Sequence, residues 1–385
     1  MYTRALPVPT RSFFLFGPRG TGKTTWLRQQ LRSAHWVDLF VEREFVRLVR
    51  DPERFSQEVE ALPARSWVVV DEVQRLPALL NAVQDLITRR GSRYRFALTG
   101  SSARKLRRGG ANLLPARLIN RRFFPLTAFE LDRAFRLDDA LRFGTLPVVC
   151  AAKQVATRID LLEAYAENYL AQEIRQEALV KSLDSFTRFL EVAALVNAQV
   201  VNVSSISRDA AVARPTVQGY FEILVDTLIG SWLPAWRPRA KIKEVAHPKF
   251  YFFDTGAVRA LARRLREPVG DEERGRLLET YVLHELRAWI ERSGCGGELT
   301  YWRTPSGSEI DFVWTRGART VGIEVKASER WRSEDGASLA EFVAAGRVRR
   351  AFAVYRGRLP LRAGSVTVLP VPEFLDRLYL GEILR

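Results

Sequence analysis

The stretch that most constrains the fold is Gly17-Pro18-Arg19-Gly20-Thr21-Gly22-Lys23-Thr24, which satisfies G-x-x-x-x-G-K-[ST] at every position. The apolar run SFFLF (12–16) precedes it, and TTWLRQQL, with helical spacing, follows it. Strand, glycine loop and helix in that order bring backbone N–H groups and the positive end of a helix to one point. That point is a cradle for phosphate oxygens. Lys23 is expected to reach β- and γ-phosphates and the Thr24 hydroxyl to bind Mg²⁺. Gly17, Pro18, Arg19, Gly20, Thr21, Gly22 and Thr25 complete the expected contacts to ATP.

Three further apolar runs follow: HWVDL (35–39), SWVVVDE (66–72) and YRFALTG (94–100). Polar, helix-like stretches such as EREFVRLVR and LPALLNAVQDLITRR separate them, and RRFFPLTAFEL (121–131) reads as a strand leading into a helix. Strands alternating with helices predict an α/β class with a parallel-sheet P-loop NTPase core. The run WVVV ends in Asp71-Glu72. A carboxylate at that strand end can hold a metal shell, and its neighbour can orient and deprotonate a water. Asp71 takes the first role and Glu72 the second, which predicts hydrolysis.

GPRGTGKTT, VVVDEVQRLP and FALTGSSARKL together resemble the AAA+ ATPases. The resemblance implies a polar residue that senses the γ-phosphate, for which Ser101 and Thr99 both qualify. LLPARLINRRFFPLTAFEL is similar to a branch of archaeal-type and bacterial ATP-binding proteins, although Ala116-Arg117 stands where relatives have glycine before the arginine. Arg117 is then an arginine finger reaching across a subunit boundary, or, with Arg121 and Arg122, a surface cation. Assembly into a homo-oligomer, such as a hexamer, is an open expectation.

The pattern changes near Leu137, where helical spacing covers 155–181 and 184–199. SSISRDAA, the connection VAR and a helix opened by Pro215 then read as a helix-turn-helix, with LIGSWLPAW and KFYFFD as strands of a wing. Arg208, Arg214, Thr216 and Gln218 are residue types that reach phosphates and base edges, while the same pattern also serves plain helical packing. ARRLREPVGD (262–271) reads as a linker. The expected divisions are 1–136 for the ATPase core, 137–265 for the helical, winged module and 266–385 for a third domain.

In that third domain a helix carrying Glu279, the strand SEIDFVWTR with Asp311 and the strand TVGIEVKA with Glu324 and Lys326 follow one another. The order resembles the PD-(D/E)XK nuclease-like, restriction-endonuclease-like α/β fold. Residues two apart in a strand share a face, so Glu324 and Lys326 project together. The resemblance implies a divalent-metal site of Asp311, Glu324 and the Val325 carbonyl, with Glu279 as an additional acid and Lys326 positioning or activating the attacking water. A binding scaffold with a surface ion pair is the rival.

A net charge of +16, from 60 Lys and Arg against 44 Asp and Glu, favours polyanionic partners, although an arginine-rich composition alone would give it. Cys150 and Cys295 stand far apart and argue against a disulfide framework or a cysteine zinc site. No run of roughly 18 apolar residues and no leader pattern are visible, so a cytoplasmic protein without membrane association is expected. The combined reading is an ATP- and Mg²⁺-dependent ATPase acting on DNA in repair, recombination or defence, with or without cleavage. RNA stays open as the nucleic acid. The alternative is a nucleotide-gated signalling switch whose C-terminal domain binds a protein partner.

Overall fold

The computed structural model describes residues 2–100, 117–169, 182–236, 247–304 and 307–384. They cluster into two compact units, one of residues 4–125 and 223–229, the other of 1–3, 126–222 and 230–385. The expected division at 265 falls inside the second unit.

The first unit is built on β1 (Phe13–Phe16), β2 (His35–Asp38), β3 (Trp67–Asp71), β4 (Arg95–Gly100) and β5 (Ile119–Arg122). All are parallel, in the order β2-β3-β4-β1-β5. The apolar runs of the central β1, β3 and β4 follow from burial on both faces, whereas the edge strand β5 is polar and mostly exposed. Phe13, Leu15, Val69 and Ala97 pack against Trp26 and Leu27 on one side. Phe14, Phe16, Val68, Val70, Phe96 and Leu98 pack against Leu48, Phe55 and Val83 on the other. This order sets the C-terminal ends of β1, β4 and β3 side by side, where open parallel sheets place their sites.

In the second unit, helix Val203–Asp209 is capped by Asn202, whose side chain accepts from the N–H of Ser204 at 3.0 Å and Ser205 at 3.1 Å. A short turn leads into helix Arg214–Asp226, whose residues 214–222 belong to this unit. The strand β6 (Gln199–Val200), before the helices, and β7 (Gly230–Leu233) and β8 (Lys249–Phe252), after them, form an antiparallel sheet in the order β6-β8-β7. Phe189, Phe221, Trp232 and Phe250 knit helix and sheet together by edge-on and tilted ring contacts.

The same unit contains helix Asp271–Ser293 and six strands: β9 (Glu298–Arg303), β10 (Glu309–Arg316), β11 (Arg319–Lys326), β12 (Arg350–Tyr355), β13 (Leu361–Ala363) and β14 (Val366–Pro370). Their order is β13-β14-β12-β11-β10-β9, with β9, β10 and β11 antiparallel and β11, β12 and β14 parallel. Helix Val371–Tyr379 buries Phe374, Leu375 and Leu378. Among the described residues, no helix is long and apolar enough to cross a membrane.

Candidate functional site

At the glycine loop, Gly22 takes φ 92° at the N-terminus of helix Lys23–Gln30, a conformation that favours glycine. Gly17 lies so close to the next strand's chain that a Cβ would sit 2.3 Å from the Phe123 carbonyl oxygen. The Thr21 hydroxyl donates to the Pro18 carbonyl at 2.8 Å and tightens the turn. The Lys23 ammonium folds back onto the loop, donating to the carbonyls of Gly17 at 2.6 Å and Pro18 at 3.0 Å.

A chain of hydroxyl contacts runs from the loop to the two neighbouring strands. Thr24 Oγ1 donates to Asp71 Oδ2 at 2.7 Å. The Thr99 hydroxyl, wholly buried at the end of β4, donates to Asp71 Oδ1 and accepts from the Glu72 N–H at 2.9 Å. Glu72 sits at φ 59°, ψ 45°, a left-handed conformation that a non-glycine residue rarely adopts. The Thr99 contact helps hold it there, and the carboxylate accepts from Gln74 Nε2. Thr99 thus joins the expected metal-shell carboxylate to the backbone of the expected base.

The second constellation lies in the other unit, where Glu279, Asp311 and Glu324 are expected. A bulge between Ile310 and Val313 interrupts the β9–β10 ladder and re-aims Asp311, whose Oδ2 accepts from the Val325 N–H at 2.8 Å. Glu324 and Lys326 share a face, with Nζ 2.7 Å from Oε1. The residue at the centre is one the motif does not include. Lys249 of β8, its side chain 3% exposed, lies 2.7 Å from Glu279 Oε1 and 3.7 Å from Asp311 Oδ1, and contacts Glu309 Oε1. Tyr251 donates to the same Glu279 oxygen.

Burial pushes the Glu279 carboxyl up to about 7, with Lys249 opposing and Asp311 adding to the rise. Burial likewise raises Asp311, again against Lys249, and holds Glu324 well above the usual range with help from Asp311. For Lys249, burial works against the ammonium, but Glu279, Tyr251, Asp311 and Glu309 outweigh it and lift the group well above its ordinary value.

Beside this cluster a groove of about 840 Å³ is lined by Asn202, Ser204, Arg214, Gln218, Arg303 and Thr304, among others. Among the described residues, no carboxylate lines it. Arg214 opens the second helix of the pair, and its guanidinium bonds the Ser204 hydroxyl of the first.

Residues 9–131, which carry the first of these sites, match the family model described as an AAA domain. The N-terminal region is an AAA-family ATPase domain. Residues 134–267 and 274–374 match two models described as domains of unknown function, DUF8612 and DUF4143. Two proteins named as uncharacterized, from Mycobacterium bovis and Mycobacterium tuberculosis, are 25% identical over 382 residues, spanning 96% of this chain and 82% of each relative. A type III CRISPR defence DNA nuclease activated by cyclic oligoadenylate aligns at 14% identity with a TM-score of 0.25, too low to carry an argument. The alignment covers this whole chain and 54% of that one.

In the AAA domain hydrogen bonds link Thr24, Asp71 and Glu72 through Thr99, while Lys23 lies on the loop of Gly17, Pro18, Gly20, Thr21 and Gly22, with Arg19 exposed on that loop and Thr25 exposed on the helix that follows. Of the two sensor candidates, Thr99 stands in this network and Ser101 lies outside the described residues. Arg117 is exposed in the turn before β5. In the C-terminal domain Glu279, Asp311 and Glu324 lie near one another without forming a ready-made set: among the described residues, no group of three His, Cys, Asp or Glu side chains is arranged to hold an ion. Lys249 occupies the place where the Glu279 and Asp311 oxygens converge. Sequence reasoning missed it, although a lysine opening the otherwise apolar run KFYFF signals a buried cation in need of partners.

Proposed function

We propose that this protein is an Mg²⁺-dependent ATP hydrolase whose AAA domain drives a nucleic-acid-binding unit, with DNA as the first partner. The observation that carries the reading is the linked set Thr24–Asp71–Thr99–Glu72 at the mouth of a complete glycine loop. Thr24 and Asp71 carry oxygens suited to a hard cation, and their mutual hydrogen bond is a contact such a cation would replace. Mg²⁺, held there with ATP, would neutralise phosphate charge during transfer. Lys23 exchanges the carbonyls of Gly17 and Pro18 for phosphate oxygens. Glu72, fixed by its left-handed backbone, orients and deprotonates the attacking water. Thr99 keeps base and metal shell in register. If copies assemble, as in a hexamer, exposed Arg117 is the cation we assign to a neighbour's nucleotide.

Support for nucleic acid comes from the net charge of +16 and from the groove that Arg214, Gln218 and Arg303 line. We read the helix pair and β6–β8 as a winged helix-turn-helix, and the C-terminal domain as a nuclease-like scaffold used to hold rather than cut. The test is ATP turnover of the full chain with and without duplex and single-stranded DNA, at two salt concentrations. Stimulation that falls with salt and is weakened by Arg214→Ala is expected. Turnover indifferent to DNA and RNA, with no salt-sensitive binding, would overturn the nucleic-acid reading and favour the protein-partner switch.

A further inference from the structure

The fold that the C-terminal domain resembles implies a divalent ion between Asp311, Glu324 and the helix carboxylate Glu279. The donors present do not fit one. Oxygen ligands hold such ions at about 2.0–2.6 Å, and the Lys249 nitrogen, 2.7 Å from Glu279 Oε1 and 3.7 Å from Asp311 Oδ1, takes the space between those two acids. Asp311 Oδ2 is engaged by the Val325 N–H, and its Oδ1 faces Lys249. Glu324 Oε1 is taken by Lys326, which leaves Oε2 as a buried oxygen without a hydrogen-bond partner. That oxygen and the Val325 carbonyl, beside a fixed ammonium, are a poor start toward the roughly six oxygen ligands a divalent ion takes.

Lys249 is also fixed in place. Its backbone pairs with Leu233 on one side and Val200 on the other, in the middle strand of a three-stranded sheet. Its ammonium lies 5.4 Å from the centre of the Tyr301 ring. An ammonium has three donors, and here it contacts carboxylates of two further elements, Glu279 on helix Asp271–Ser293 and Glu309 on β10. Withdrawing it would leave buried carboxylates facing one another without a counter-charge.

We infer that Lys249 is the resident cation of this centre, a side chain supplied by the fold in place of a divalent ion, which it excludes. It fastens β8 to helix Asp271–Ser293 and β10, and the centre has no metal-dependent chemistry of its own. The inference is independent of whether the protein binds nucleic acid.

The experiment titrates Mn²⁺ into the nucleotide-free full chain and reads the unbound ion by electron paramagnetic resonance. Wild type and Asp311→Asn should bind identically, because the cluster contributes no ion. Lys249→Met should gain one Mn²⁺ per chain, lost again in Lys249→Met/Asp311→Asn. An ion on wild type that Asp311→Asn removes would overturn the inference, as would a folded Lys249→Met chain that gains none. Should Lys249→Met not fold, the wild-type pair decides alone: an Asp311-dependent ion overturns the inference and equal binding upholds it.

Discussion

Two sites in this molecule are assembled from the same parts, a strand-end carboxylate, a lysine and a neighbouring acid, and they are wired in opposite ways. At the glycine loop, Asp71 is held by two hydroxyls, Thr24 and Thr99, and Lys23 points back to carbonyls. The carboxylate is oriented without being neutralised, so positive charge can still be brought to it. In the C-terminal domain, Glu279 and Asp311 face the Lys249 ammonium directly. There the positive charge is already covalently part of the chain. Neutral donors keep a carboxylate available to a ligand, whereas a buried lysine uses it up.

The largest expected effects lie at the first site. Glu72→Gln should keep ATP affinity while turnover falls about 10²- to 10⁴-fold, the usual contribution of a positioned base. Lys23→Ala should weaken ATP binding about 10- to 100-fold, by loss of charge-assisted bonds to phosphate. Equilibrium binding beside steady-state turnover separates the two variants. A Glu72→Gln enzyme with normal turnover would remove Glu72 as the base.

The second site should respond in stability. Lys249→Met leaves buried carboxylates uncompensated and should cost about 3–5 kcal/mol, lowering the melting temperature by on the order of 10 °C. Lys326 makes the same kind of bond to Glu324, but its side chain is 34% exposed. Lys326→Met should therefore change stability by no more than about 1 kcal/mol. Equal losses from the two substitutions would show that burial is not what distinguishes these lysines.

A third carboxylate sharpens the contrast from the side of neutral donors. Glu285, buried on the same helix as Glu279, accepts from the Ala128 N–H at 2.7 Å and the Tyr281 hydroxyl. Burial pushes its carboxyl from 4.5 up to about 7, with these donors opposing. The folded chain then holds this proton more tightly than the unfolded chain does. Its stabilising contribution is full below pH 4.5 and is lost as pH rises through about 7. Glu285→Gln should remove up to about 3 kcal/mol of that pH-dependent loss, seen as a flatter denaturation midpoint between pH 5 and pH 8. An unchanged slope would mean that Glu285 is ionised at no cost.

Much of this was legible in the sequence where local pattern and fold agree. The glycine loop, WVVVDE and FALTG lie on the expected loop and strands because a doubly covered parallel strand is written as a short apolar run. In RRFFPLTAFEL the strand lies earlier than read, β5 being Ile119–Arg122, and helix Ala128–Leu131 follows, started by a Thr127–Glu130 capping box. The closing β13, β14 and helix Val371–Tyr379 escaped notice, since VTVLP is short and runs directly into a helix with proline at its start. Thr99 could be named only as one of two candidates, because which polar residue faces Asp71 depends on the register of β3 against β4. Lys249 was illegible for a related reason. Its partners Glu279, Glu309 and Asp311 come from a helix and a strand far along the chain, and only the packed fold brings them to β8.

The most direct test of the difference between the sites is the number of tightly bound Mn²⁺ ions per chain with a non-hydrolysable ATP analogue present. One ion is predicted, abolished by Lys23→Ala and untouched by Asp311→Asn. A second ion that disappears with Asp311→Asn would contradict the account.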